Sequence, residues 1–315
     1  MYEQISANKW KSGILVFVFV CFVLVVGYVI GRALAGPSGW YVGLIIAFII
    51  ALIMSLVSYY QSDKIALAVT GARPVAEGEF IRYRNTVEAL SIAAGISTPR
   101  IYVIESPAMN AFATGRNPEN SAIAVTTGLL ERMNNQELEG VIGHEISHIK
   151  NYDILLQTLT MVLVGTVVIL SDIFLRLIWF SDDREDSGGA GIILAVMGIV
   201  LAIIAPILAQ IIRLALSRRR EFLADANSAL LTRYPPGLAS ALRKLRDENR
   251  PLRTASKATA PLFIVEPLYG RKGQRKRSSL FDTHPPIEER IRRLEEMYEG
   301  FTPVAPEGDS PVEWR

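Results

Sequence analysis

The chain has 315 residues, half of them hydrophobic, and a positive mean hydropathy of +0.28. A net charge of +2 gives no bulk attraction for nucleic acid, and the single Cys21 excludes a disulfide framework and a four-cysteine metal site alike. The apolar excess is gathered in a few long runs, the pattern of a membrane protein.

Met1 to Lys11 is polar and carries Lys9 and Lys11. Residues 13–31 hold no charge and, at about 1.5 Å per helical residue, suffice for one membrane span. A cleaved signal peptide would have the same basic start. The run is long, however, no small-x-small site closes it, and a second span follows at once, so it is read as a retained anchor. Beyond a turn at Gly36-Pro37-Ser38-Gly39, residues 40–60 form the second span, with Trp40, Tyr41, Tyr59 and Tyr60 where interfacial aromatics belong. The two spans make a hairpin whose outer ends share one side.

Residues 64–153 read as soluble. Phe80 to Ala94 has helical periodicity, and Arg100 to Glu105 and Ser121 to Thr126 read as short strands, separated by Asn110 to Gly115 and a turn at 117–120. Next comes the stretch around which the chain is organised, Val141 to Lys150, with His144, Glu145 and His148 in the order H-E-x-x-H. A helix sets residues four apart on one face, so both imidazoles can reach one Zn2+ while Glu145 lies alongside to take a proton from the attacking water. Asn134 and Glu137 form a capping-box pattern ahead of it, and Leu138, Val141, Ile142 and Ile149 provide an apolar stripe. Strands followed by such a helix predict an α+β metallopeptidase domain, in which an exposed strand edge can pair with an extended peptide.

Two further apolar runs follow, at 154–180 and 187–216, separated by the acidic Ser181 to Asp186. The first is uncharged only to Ser171, so it either crosses the membrane or packs with the second as a hairpin on the soluble domain; full crossing is the reading taken here. Lys9, Lys11, Lys64, Arg213 and Arg218 to Arg220 then lie on one side, against Arg32 and Arg184 on the other. The positive-inside rule places both termini and the H-E-x-x-H helix in the cytoplasm of a cell-membrane protein with about four spans.

The chain turns soluble again at 217. Pro235-Pro236-Gly237 reads as a break before a helix over 238–246, residues 250–279 are basic, a last helix covers 287–298, and 301–315 form a flexible tail. A catalytic zinc needs a third protein ligand and one open position. Arg220-Glu-Phe-Leu-Ala-Asp225 supplies Glu221 as that ligand, with Asp225 one turn on to accept a hydrogen bond from a ligating histidine. Alone, such a spacing describes a helix with surface acids; after H-E-x-x-H it reads as part of the site. His284, in Thr283-His-Pro-Pro286, is equally a helix-start residue or a donor to the oxyanion formed when water attacks a peptide carbonyl.

Taken together, these motifs resemble the HtpX family of membrane-embedded zinc metalloproteases, related to the CAAX prenyl proteases. The family's N-A-x-x-x-G is matched by Asn110, Ala111 and Gly115, its H-E-x-x-H by His144, Glu145 and His148, and its E-F-x-A-D by Glu221, Phe222, Ala224 and Asp225. Its H-P-P with a later arginine is matched by His284, Pro285, Pro286 and Arg290, and its layout of two spans, metal helix, two spans and third ligand is matched too. The resemblance implies a gluzincin-like domain assembled from 64–153 and 217–300. That domain would hold one Zn2+ and cleave misfolded or membrane proteins at the cytoplasmic face, beside lipid and quality-control partners. It also implies that Asn110, Ala111 and Gly115 present backbone to the substrate.

Two rivals remain. A CAAX-type prenyl protease would carry about seven spans around a chamber, and only four candidate runs are present. A non-catalytic membrane scaffold holding zinc for structure alone would have no use for Glu145.

Overall fold

The computed structural model describes residues 2–35, 38–163, 165–167, 218–248, 250–256, 258–268 and 285–301. The expectations for the 181–186 loop, the fourth apolar run, His284 and the tail fall outside these residues.

Helices α1 (Tyr2–Ala35) and α2 (Trp40–Val69) form the first hairpin, and each is long and apolar enough to cross a membrane. Both outrun the expected spans. α1 begins in the polar start, and α2 continues through Gln61-Ser-Asp-Lys64, because hydropathy marks the end of the apolar run and not the end of the helix. The two backbones approach so closely at Gly27, Gly31 and Gly43 that a methyl group at any of them would strike the facing helix. Ile45, Ile46, Ile49 and Ile53 of α2 point outward without protein cover, as a lipid-facing surface requires.

Beyond the hairpin, β1 (Arg73–Pro74), α3 (Ile81–Ala94), β2 (Arg100–Ile104), β3 (Ala111–Asn117) and β4 (Asn120–Thr126) follow in order. The sheet runs β1-β2-β4-β3, with β2 and β4 parallel and the outer pairs antiparallel. The stretch expected only to link two strands is itself a strand, β3. Its pairing with β4 sets Ala111 opposite Val125 and Ala113 opposite Ile123. Gly115, at a φ of +139° and tight against the backbone of Asn120, occupies the irregular end of that pairing.

Side-chain alternation along β4 builds two cores. Ile123 and Val125 join Tyr83, Val87, Leu138, Val141, Ile142, Ile146, Leu242 and Leu294 on one face. Ala122 and Ala124 join Leu67, Phe112, Met161 and Phe263 on the other. Helices α4 (Thr127–Arg132) and α5 (Asn135–Lys150) follow the sheet, and α6 begins at Asp153 and is described to Val167. Leu155, Leu156, Leu159 and Leu163 of α6 are buried with Leu15 and Phe19 of α1. The start of the third apolar run is therefore packed within the protein, and its later residues lie outside those described.

The remaining helices are α7 (Arg218–Thr232), α8 (Pro235–Arg246) and α9 (Ile287–Phe301). α8 starts at the prolines expected to break it, since proline at the first helical positions forgoes an N–H that has no helical partner there.

Candidate metal centre

Helix α5 is fixed at its start by a complete capping box. Asn134 Oδ1 accepts from Glu137 N–H at 2.9 Å, and Glu137 Oε2 accepts from Asn134 N–H at 2.9 Å. The same carboxylate accepts from Ser240 Oγ at 2.7 Å and Lys244 Nζ at 2.6 Å, which ties the cap to α8. Gly140 lets the Leu238 backbone of α8 press against α5, and Ser228 Oγ of α7 donates to Gly140 O at 2.7 Å. Sheet and α3 on one side, α7 and α8 on the other, leave α5 buried around most of its circumference.

One turn apart on this helix, His144 and His148 bring their Nε2 atoms within 3.1 Å. Glu221, near the start of α7, completes a triangle, with Oε2 3.7 Å from His144 Nε2 and Oε1 3.6 Å from His148 Nε2. All three side chains are buried. The outward nitrogens are occupied: His144 Nδ1 lies 2.9 Å from Asp225 Oδ1, and His148 Nδ1 lies 2.9 Å from Asp153 Oδ2. Nδ1–H groups donating to those carboxylates leave two lone pairs and a carboxylate facing one another. That arrangement repels itself unless a cation sits among them. Ligand distances of about 2.0–2.1 Å give tetrahedral edges of about 3.3–3.4 Å, close to the triangle found. The nitrogen and oxygen donors, the spacing and the carboxylates behind the imidazoles all fit one Zn2+.

Arg290 of α9 organises the Asp225 side. Its Nε donates to Asp225 Oδ2 at 2.8 Å, Nη2 to Asp225 Oδ1 at 2.7 Å and Nη1 to Ile264 O at 3.0 Å. Nη1 also lies 3.8 Å from Glu221 Oε2. On the other side, Asp153 Oδ1 accepts from Asn8 Nδ2 at 2.7 Å.

Protonation follows these neighbours. Burial and Arg290 lower His144 to about 4, with Asp225 opposing. Burial also disfavours charge on His148, but Asp153 and Glu221 outweigh it and push this ring up to about 9. Two imidazoles facing each other at this range accept one proton between them, and it goes to His148, which Asp153 and Glu221 favour, while Arg290 opposes charge on His144. Glu145 is buried beside them. Burial raises its carboxyl to about 7, against the lowering influence of His148 and of the Ala113 N–H bonded to it.

Asn110, Ala111 and Gly115 lie on or beside β3, and each has an internal task. Asn110 Nδ2 donates to Val265 O at 3.0 Å, and Ala111 O accepts from Ile264 N–H at 2.9 Å. Asp153 and Asn8 carry no motif that local spacing would reveal. Asp153 sits five residues past His148, and that offset on a helix end is the one signal that could have been followed.

A buried imidazole pair completed by a carboxylate from a second helix, on a domain carried by apolar helices, defines a membrane metalloprotease. The profile of peptidase family M48 matches residues 77–298, and the chain belongs to that family. A protease HtpX homologue of Dictyoglomus turgidum is 47% identical over 313 residues, 98% of either chain. One of Streptococcus gordonii is 42% identical over 304 residues, covering 94% of this chain and all of the relative. The crystal structure of S. mikatae Ste24p aligns over 94% of this chain and 67% of its own, with a TM-score of 0.45 and 18% identity.

Proposed function

We propose that the chain is a zinc-dependent endopeptidase that hydrolyses misfolded or membrane proteins at the cytoplasmic face of the cell membrane, as part of protein quality control. The observation that carries the reading is Glu145, a buried carboxylate next to the His144–His148–Glu221 triangle and bonded to the backbone of β3. A structural metal site has no need of such a group.

In this reading His144, His148 and Glu221 hold the ion, with Asp225 and Asp153 fixing the two rings. Bound zinc supplies Lewis acidity, which brings the pKa of water toward about 7. Glu145 takes the proton from the attacking water and delivers it to the leaving amine. A carboxyl raised by burial suits both halves of that transfer, because it releases the proton as readily as it accepts it. The substrate lies along β3 near Ala113, whose N–H is directed to Glu145. Asn110, Ala111 and Gly115 shape that strand, and His284 donates to the oxyanion. The domain draws on 64–153 and 217–300, with both termini cytoplasmic and the runs at 154–180 and 187–216 forming a second hairpin. Lipid surrounds the spans.

The test compares the wild-type chain with Glu145→Gln on an unfolded protein substrate, with products mapped by mass spectrometry and zinc content measured in parallel. Proteolysis that falls by about 10²–10⁴-fold with zinc retained supports the assignment. Undiminished cleavage by the zinc-loaded variant refutes it.

A further inference from the structure

Asn8 is a buried amide on the polar start of α1, only 3% exposed, ahead of the apolar stretch that would anchor the helix. A helix serving solely as an anchor has no reason to bury an amide there, and burial without partners would be costly. Both of its N–H donors are engaged. One reaches Asn151 O at 3.0 Å and the other Asp153 Oδ1 at 2.7 Å. Asn151 ends α5 and Asp153 starts α6, so Asn8 grips the corner between the metal helix and the helix after it. One neighbour strengthens the grip: Lys9 Nζ lies 4.4 Å from the centre of the Tyr152 ring, whereas Ser12 Oγ donates to Asn8 O at 2.9 Å in a bond internal to α1.

The other oxygen of Asp153 holds His148 Nδ1. A carboxylate tied at one oxygen still turns about its Cβ–Cγ bond, and the ring bonded to it turns as well. Tied at both oxygens, it is fixed, and so is the direction of His148 Nε2. The nearest alternative restraint, Arg220 Nε, stands 3.8 Å from Oδ1, beyond hydrogen-bond range. Metal sites need their ligands held within about 0.5 Å of the binding geometry. We infer that Asn8 is a positioning residue of the metal centre, acting through Asp153 on His148, so that the docked start of the N-terminal helix is a working part of the site. This rests on His144, His148 and Glu221 being the zinc ligands.

The test is a double-mutant cycle on the full-length chain in detergent, stripped of metal, with the zinc dissociation constant measured by competition against a chromogenic chelator. Asn8→Ala should weaken zinc about tenfold, the lower end of what loss of an outer-shell partner causes. Ser12→Ala, on the same helix, should leave the constant within twofold. In an Asp153→Asn background, Asn8→Ala should weaken zinc no further, because its route to the ring is already altered. Melting of the metal-free proteins separates loss of folding from loss of positioning. Where the alanine variant does not accumulate folded, Asn8→Ser takes its place under the same criterion. A wild-type chain that binds no zinc overturns the ligand reading, and this inference with it. A wild-type chain that binds zinc beside an Asn8 variant of equal affinity overturns the inference alone, as does a full additional loss in the Asp153→Asn background.

Discussion

Arg290→Met tests whether the metal centre depends on a helix that supplies no ligand. Arg290 is 1% exposed and gives Asp225 both prongs of its guanidinium, with a third bond to Ile264 O. Methionine fills much of the space but leaves the buried Asp225 charge with His144 as its remaining close partner. Breaking a buried pair in this way costs about 3–5 kcal/mol. At roughly 2–4 °C per kcal/mol for a domain of this size, the metal-free protein should melt about 6–20 °C lower. Arg290→Lys keeps the charge but cannot span both carboxylate oxygens and the carbonyl, and should fall between the two. Zinc should bind about 10–100-fold more weakly in Arg290→Met, because an Asp225 released from the guanidinium no longer fixes the direction of the His144 ring. The loss should also depend on pH. Burial and Arg290 depress His144 to about 4; without the arginine the ring's pKa rises, and a proton on His144 competes with zinc at pH values where that ring is neutral in the wild type. The variant's deficit should therefore be larger at about pH 6 than at about pH 8. Differential scanning fluorimetry and chelator competition decide the matter. Zinc affinity within twofold of wild type at both pH values would refute the reasoning.

At Gly140→Ala, the added methyl would lie 2.6 Å from the Leu238 backbone nitrogen and 2.7 Å from its Cα. Overpacking of about 1–3 kcal/mol outweighs the roughly 1 kcal/mol of helix propensity regained, so the melting temperature should drop by a few degrees, whereas Gly13→Ala, with nothing within 4 Å, should show no packing loss. Burial raises Glu137, but the bonds from Lys244, Ser240 and Asn134 prevail and hold its carboxyl below the ordinary range. Its stabilisation is complete above the ordinary carboxyl pKa and is lost as pH falls through the lowered value, so Glu137→Gln should reduce the difference in melting temperature between neutral and acid pH. For topology, single cysteines at positions 187, 217 and 279 in a Cys21→Ser background should react with an impermeant thiol reagent on intact cells at 187 alone. Labelling at 217 or 279 would overturn the cytoplasmic placement.

What the sequence discloses is what a short stretch settles for itself. The capping box of Asn134 and Glu137 and the one-turn spacing of His144 and His148 need no knowledge of the rest of the fold, and both stand as sequence logic requires. Glu221 was legible because its spacing to Asp225 repeats a helical turn after a metal motif. β3 was not. Ala111-Phe-Ala-Thr-Gly115 is covered on both faces, so the alternation that marks a half-buried strand is missing. Asn8 and Asp153 stayed hidden for a different reason: they meet across 145 residues of chain, and neither residue type in its own neighbourhood hints at the other. Arg290 could be named by family pattern, but its fork on Asp225 required α9 to be in place.

The length of α2 has a consequence for how the sheet and the metal helix are carried. Thirty residues of helix extend about 45 Å, whereas the hydrocarbon of a bilayer is about 30 Å thick. The surplus, about 15 Å, is a rigid post, braced to the sheet through the Asp63–Arg100 ion pair and Arg116 above the Tyr60 ring. The sheet, and the metal helix packed on it, are therefore joined to the apolar part of α2 by rigid helix and not by a pliable tether.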